Sequence, residues 1–337
     1  MTALRPNVLS EFSGQEAIVE NLRLFIEAAR MRQEPLDHVL FHGPPGLGKT
    51  TLAQTISSEM GGRLVRTSAP VIATQRDLMS LLCGLEGHDV LFIDEIHRLP
   101  MPVEEVLYTV MEDRRLDLVV GEGMEARAVS IDLEPFTLVG ATTRAGGLSR
   151  PLFDRFPIVF RLDYYEVEHI EGIVRRAAGA RGIDLGSALR TVAERSRGTP
   201  RVANRLVARL ADFFAAMPEA DPRETVLHAF SRMGIGEMGL DGEDMRYLAF
   251  VAGSGRPVGL STIAAAISET PDAIEDVIEP FLLRRGLVSR TQKGREVTEA
   301  GLALLERRSS VERSGEEDAD AVGLGDSLLA GVPVGSR

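Results

Sequence analysis

Eight residues, Gly43-Pro44-Pro45-Gly46-Leu47-Gly48-Lys49-Thr50, constrain this chain more than any other stretch of it. They follow a short apolar run over 38–42 and precede 50–60, whose spacing predicts a helix. Glycines in such a turn let backbone N–H groups point inward around an anion, and the helix N-terminus adds positive potential at the same place. Lys49 brings a full charge to the outer phosphates of a nucleoside triphosphate, and the Thr50 hydroxyl is placed to ligate Mg²⁺. A match to GxxxxGK[ST] can arise by chance, but one bracketed by a strand and a helix predicts a phosphate site.

Two more apolar runs are organised in the same way. Val90–Ile93 ends in Asp94-Glu95, and Phe136–Ala141 ends in Thr142-Thr143. Over 16–32, Ile18, Leu22, Phe25, Ile26 and Ala29 share a helical face. Short apolar strands alternating with helices predict an α/β fold with a parallel sheet covered on both faces. The polar residues then fall at the carboxyl edge of that sheet, where open α/β sheets bind ligands. Asp94 is expected to hold Mg²⁺, Glu95 to orient and deprotonate an attacking water, and Thr143 to sense the γ-phosphate.

Arg155, in Asp154-Arg155-Phe156, has two readings: a surface arginine paired with Asp154, or an arginine finger that completes a neighbour's site. Arg201 falls in the first turn of a helix over 200–217, which Thr199 can cap and Pro200 suits. The helix dipole disfavours a cation there, so Arg201 points to a phosphate partner.

Between the second and third runs, Leu116-Leu118-Val120 and Val129-Ile131-Leu133 flank Gly121-Glu122-Gly123, the pattern of a β-hairpin with one apolar face. It either packs on its own domain or protrudes to dock a partner. Past Phe160 the strand signals stop, and 167–181, 187–196 and 200–217 read as helices. Gly234, Gly236, Gly239 and Gly242 mark a joint. Residues 243–308 then read as helices followed by a strand pair over 287–291 and 295–298, the layout of a winged helix. The expected divisions are 1–163, 164–236, 240–308 and a disordered acidic tail over 309–337 that carries Glu316-Glu317-Asp318.

At 337 residues the chain is too long for one ordinary core. Its net charge of −12 argues against a protein that coats nucleic acid over its whole surface, but not against a local basic patch. Residues 281–308 hold such a patch: Arg284, Arg285, Arg290, Lys293, Arg295, Arg307 and Arg308 against Glu296, Glu299 and Glu306. It is either a solvated face or a contact for phosphates of any sequence. No run approaches the roughly 18–20 apolar residues of a membrane span. No basic-then-apolar leader opens the chain, and Cys83 stands alone, so a cytoplasmic protein is expected.

The strings HVLFHGPPGLGKTTLA, HDVLFIDEIHRL, FTLVGATTRAG, RGTPRVANRL, PVGLSTIAAAI and IEDVIEPFL, with the opening LRPNVLSEFSGQ and the inserted hairpin, resemble the AAA+ superfamily and, within it, the RuvB family of Holliday-junction branch-migration ATPases. The resemblance covers about residues 4 to 300. It implies an AAA+ sheet domain, a small helical lid and a C-terminal winged helix, assembled as a homohexamer. Such a ring moves duplex DNA at a four-way junction in recombination, DNA repair and the SOS response. It implies that ATP lies against Leu4, Arg5, Phe12, Gly46, Gly48, Lys49, Thr50, Thr51, Tyr165 and Arg201. Glu112, Asp113, Arg114 and the finger Arg155 then stand near the nucleotide at the subunit boundary. The hairpin over 116–133 docks on RuvA, the RuvC resolvase joins a larger complex, and Arg290 and Arg295, with Lys293 between them, contact DNA.

This chain departs from the family pattern at Pro157, at Gln292, at Phe12 and in its tail. Two other readings compete. A clamp-loader or initiator-like switch would be expected to carry a helical collar in place of the basic wing. A DNA-binding module with a dead ATPase core is opposed by the presence of Lys49, Asp94, Glu95, Thr143 and Arg155.

Overall fold

The computed structural model describes residues 6–120 and 127–308. Leu4, Arg5, the hairpin tip with Gly121-Glu122-Gly123 and the tail over 309–337 lie outside the described residues. Two compact units divide the chain, one running to Met233 and the other starting at Gly234.

In the first unit α1 (Glu16–Arg32), α2 (Lys49–Met60), α3 (Gln75–Leu82), α4 (Met101–Asp113) and α5 (Arg150–Asp154) accompany a five-stranded sheet. The sheet strands are β1 (Val39–His42), β2 (Leu64–Ser68), β3 (Val90–Asp94), β6 (Thr137–Thr142) and β7 (Ile158–Arg161). They lie in the order β2-β3-β6-β1-β7, every neighbouring pair parallel. All six residues of β6 are buried, as a central strand covered on both faces requires. By contrast β2, LVRTS, is half-buried at the sheet edge and carries no apolar run to announce it. Leu40, Leu91, Ile93 and Leu138 of the strands pack with Val103, Leu107 and Val110 of α4 in one core cluster.

β4 (Arg115–Val120) and β5 (Arg127–Asp132) form the antiparallel hairpin, with Leu116 opposite Ile131 and Leu118 opposite Val129. Its two readings meet in one object. Leu116 is buried, and Ile131 and Leu133 pack on the core cluster, whereas Val129 stands exposed. The root therefore belongs to the domain and part of its length faces solvent.

Four lid helices complete this unit: α6 (Val167–Gly179), α7 (Leu189–Glu194), α8 (Pro200–Ala216) and α9 (Pro222–Arg232). Thr199 occupies the N-cap position of α8 but makes no side-chain cap hydrogen bond. Its side chain is turned toward the phosphate loop: a Cβ added at Gly46 would lie 2.9 Å from Thr199 Cγ2.

The second unit holds α10 (Gly242–Gly253), α11 (Leu260–Ile267), α12 (Pro271–Ala273), a π-helical turn (Ile274–Ile278), α13 (Glu279–Arg284) and a further helix over 299–308. Asp241 and Asp244 form a capping box at the start of α10. β8 (Val288–Thr291) and β9 (Gly294–Val297) make the wing, and β9 also bridges Val258 through Arg295. Gly294 is required there. Its φ is +138° and a Cβ would fall 2.4 Å from the Val258 carbonyl oxygen. Tyr247, Leu248, Ile263, Ile274 and Leu282 centre a separate core. Among the described residues no helix is long and apolar enough to cross a membrane.

Candidate nucleotide site

The phosphate loop joins β1 to α2, with Gly43, Gly46 and Gly48 all at positive φ, which is how eight residues reverse around a ligand. Lys49 begins α2 and is buried. Its Nζ donates to the carbonyls of Gly43 (2.7 Å) and Pro44 (2.9 Å). Burial lowers the pKa of its ammonium, while Glu95 and Asp94 pull in the opposite direction. The lid closes over this loop. Arg201 N donates to Gly46 O at 3.3 Å, and a Cβ at Gly46 would lie 2.9 Å from Arg201 Cβ. Tyr165, itself buried, donates its hydroxyl to Leu47 O at 2.9 Å, and burial raises its pKa.

A cleft of about 800 Å³ opens between loop and lid, within the range of small-molecule sites. Phe12, Gly46, Gly48, Lys49, Thr50, Thr51, Asp94, Glu95, Tyr165 and Arg201 all line it. Thr143 reaches it through Glu95, whose Oε2 accepts from Thr143 N (3.2 Å) and Thr143 Oγ1 (3.0 Å). The sheet register explains the meeting. β3 and β6 are paired neighbours, so their following residues emerge side by side although 48 positions separate Glu95 from Thr143.

Glu112, Asp113, Arg114 and Arg155 do not line this cleft. Arg155 follows α5 and pairs with Glu112 Oε2 at 2.6 Å, while Asp154 is held by Arg150 at 2.9 Å. The pairing of Arg155 with Asp154 is therefore not made. Arg155 Nε is buried without an acceptor among the described residues. Beyond Arg155, Phe156 plugs the core.

Ile173, Arg176, Asn204, Arg205 and Ala208 also line the cleft and were not singled out from the sequence. Arg201, Asn204, Arg205 and Ala208 recur at i, i+3, i+4 and i+7, one face of α8, so their spacing carried a signal once Arg201 was assigned. Arg176 of α6 donates to the carbonyl of Glu11 at 2.7 Å, tying the lid beside Phe12.

In the second unit Arg290 and Arg295 point into a buried carboxylate. Glu279, fully buried, accepts from Arg295 Nε (2.8 Å), Arg290 Nε (2.8 Å) and the Tyr247 hydroxyl (2.8 Å). Arg295 Nη2 also reaches Glu275 at 2.8 Å. Burial pushes the Glu279 carboxyl up, but the hydrogen bonds from Arg295, Tyr247 and Arg290 prevail and hold it below its ordinary value. Lys293, at the tip of the wing, is exposed.

A lid that sets an arginine and a helix N-terminus on a phosphate loop, above an Asp-Glu pair at a strand end, makes the first unit a P-loop ATPase of the AAA+ class. Comparison with known proteins narrows the class. Residues 4–162 match the P-loop domain of the Holliday junction DNA helicase RuvB, 165–233 the RuvB AAA lid domain and 237–306 the RuvB C-terminal winged helix domain. The Thermotoga maritima RuvB Holliday junction branch migration motor is 44% identical, with 90% of this chain and 98% of that chain covered at a TM-score of 0.81. A lysine-to-arginine variant of the same Thermotoga protein matches at a TM-score of 0.82, with the same identity and coverage. The chain belongs to the RuvB family.

Proposed function

We propose that this chain is an ATP-driven motor that moves Holliday junctions by pulling duplex DNA. The observation that carries this reading is the single cleft that gathers Lys49, Thr50, Asp94 and Glu95 beneath Arg201 while leaving Arg155 outside it. A site that holds a nucleotide yet omits its arginine finger is completed by the next subunit, which supports a homohexameric ring. Arg155 of one copy then meets the γ-phosphate bound by its neighbour, with Glu112, Asp113 and Arg114 at the same boundary. Such a finger contributes roughly 10³- to 10⁵-fold in rate in enzymes of this kind.

Within one subunit Lys49 and the loop N–H groups bind the phosphates, and Arg201 reads the γ-phosphate from the lid. Glu95 takes the proton of the attacking water, with Thr143 fixing its carboxylate. Thr50 and Asp94 present a hydroxyl and a carboxylate in the same cleft, hard oxygen donors that suit Mg²⁺. Mg²⁺ bound there would offset the charge of the phosphates. Leu4 and Arg5 are assigned to the nucleotide on the family resemblance, as are RuvA on the hairpin, RuvC in a larger complex and a cytoplasmic setting. Hydrolysis changes the charge under Arg201 and so the angle of the lid, the element through which the winged helix is moved along DNA.

The test is strand exchange of a synthetic four-way junction with ATP, Mg²⁺ and RuvA. Migration is expected from the native chain. It should be lost in Arg155→Ala and partly restored when that variant is mixed with subunits that supply the arginine but lack Glu95. Hydrolysis without any junction movement would return the chain to the loader-like reading.

A further inference from the structure

The Glu95 carboxylate has another neighbour besides Thr143. His97 Nδ1 lies 3.3 Å from Glu95 Oε2 and 2.9 Å from Thr142 Oγ1, and that hydroxyl oxygen accepts from Arg144 N at 3.0 Å. An ionised carboxylate has no proton to give, so an attractive contact requires the proton on Nδ1. With that tautomer one N–H serves Glu95 and Thr142 together, and the second lone pair of Thr142 takes the Arg144 N–H. The opposite arrangement, a Thr142 proton donated to a bare Nδ1, would set a ring lone pair against a carboxylate.

The imidazole is also built in. Its side chain is 14% exposed, and a Cβ added at Gly147 would lie 3.3 Å from His97 Cδ2 and 3.4 Å from His97 Cβ. The turn over 145–147 therefore lies against the ring. Glu95 itself has a left-handed backbone, φ +49°, which starts the turn over 96–98 and returns His97 to the end of β6. His97 after β3 and Thr143 after β6 thus meet on a single carboxylate oxygen, and Thr142 backs His97. His97 is not among the residues lining the cleft, and its contact with that cleft runs through Glu95.

We infer that His97 is a positioning residue for Glu95. Its Nδ1–H and the Thr143 hydroxyl hold the carboxylate from two sides, restricting a side chain with three rotatable bonds to the orientation that meets water. The inference rests on the assignment of Glu95 as the base.

Asparagine places its amide nitrogen where Nδ1 stands, glutamine places it one carbon further out, and alanine removes it. Hydrolysis by the full chain is measured across ATP concentrations for His97→Asn, His97→Gln and His97→Ala. Affinity for a fluorescent ATP analogue and thermal melting are followed in parallel. His97→Asn should keep kcat within about threefold, while His97→Gln and His97→Ala lose at least about tenfold in kcat with KM and analogue affinity unchanged, the pattern of an interaction that matters in the transition state. Unchanged kcat in His97→Ala overturns the inference. So does equal loss in all three variants, or loss that tracks melting temperature, because a packing role predicts those. Glu95→Gln separates the two layers. If it still hydrolyses ATP, the base assignment falls. If it is dead while His97→Ala is normal, the positioning role alone falls.

Discussion

Lys49 in the phosphate loop and Arg295 in the wing are both cations largely withdrawn from water, but their partners differ in kind. Lys49 rests on two neutral carbonyls, those of Gly43 and Pro44. Arg295 rests on two carboxylates, Glu279 and Glu275, and Arg290 shares the first of them. A phosphate displaces carbonyls readily, because a doubly charged pair outweighs a charge–dipole contact of about 1.5–3 kcal/mol. Breaking a buried ion pair costs about 3–5 kcal/mol. The loop thus keeps its cation ready for a ligand, and the wing spends its two arginines on its own shape. It follows that Lys49 should matter to activity and Glu279 to folding.

The largest effect expected is in Lys49→Met, with hydrolysis down by about 10²–10³-fold, the scale of a lost charge stabiliser. Its melting should change by less than about 1 kcal/mol, since no carboxylate is left unpaired by the exchange. A Lys49→Met protein that hydrolyses ATP normally would break the comparison at its first term. Next comes Glu279→Ala, which leaves two arginines with only the partly exposed Glu275 and should destabilise the second unit by about 3 kcal/mol. Hydrogen exchange over 242–297 would register the loss, while ATP hydrolysis without DNA stays unchanged.

Acid sharpens the contrast between the units. His38 accepts the Leu138 N–H through Nδ1, and burial lowers its pKa to about 4. The folded form therefore binds this proton less readily than the unfolded chain. Stability from the neutral ring is complete above pH 6.5 and is lost as pH falls toward 4, about 3 kcal/mol in all. All six histidines precede Gly234. The second unit should hold until pH falls into the ordinary carboxylate range, where the unfolded chain takes up a proton that Glu279, with its depressed pKa, does not yet bind. Calorimetry from pH 7 to 5 should move the first unit's transition and leave the second's nearly still, and His38→Asn should flatten the slope.

The smallest effect concerns Lys293. Exposed at the wing tip, Lys293 makes no ion pair among the described residues, so a DNA phosphate reaches it without breaking an internal pair. Lys293→Ala should weaken duplex binding evenly across sequences and reduce the salt slope by about 1. If Arg295→Ala shows the same signature with no change in melting, the wing arginines are not structural after all.

The nucleotide loop was legible because glycine, lysine and threonine there answer to a ligand rather than to a neighbour, and the ligand's geometry sets their spacing. Asp94, Glu95 and Thr143 were legible because each ends an apolar run. The edge strand β2 was not, since half-burial leaves LVRTS without a periodic signal. The wing was legible as a charge count but not as a charge balance. The basic stretch over 281–308 begins two residues after Glu279, the carboxylate that holds Arg290 and Arg295. Nothing along the chain marks Glu279 as inward-facing until the π-helical turn before it is seen. His97 escaped notice for a related reason, because its meaning depends on Thr142, 45 residues away.

The β3–β6 pairing has a consequence for how the chain acquires its activity. Glu95 leaves β3, the chain builds α4 and the hairpin, and it returns along β6 to deliver Thr142 and Thr143 to the same spot. A helix or a hairpin forms from near neighbours, but this meeting waits for the closure of an excursion of 48 residues, a slow step for any folding chain. A molecule can therefore fold its helices and its hairpin before its base has anything to rest on, and its phosphate loop waits with the base, because β1 joins β3 only through β6 and Gly43 N donates to Thr142 O. Nucleotide binding and turnover should then recover together when the denatured chain is returned to water, and their shared lag behind helix formation would time the insertion of β6.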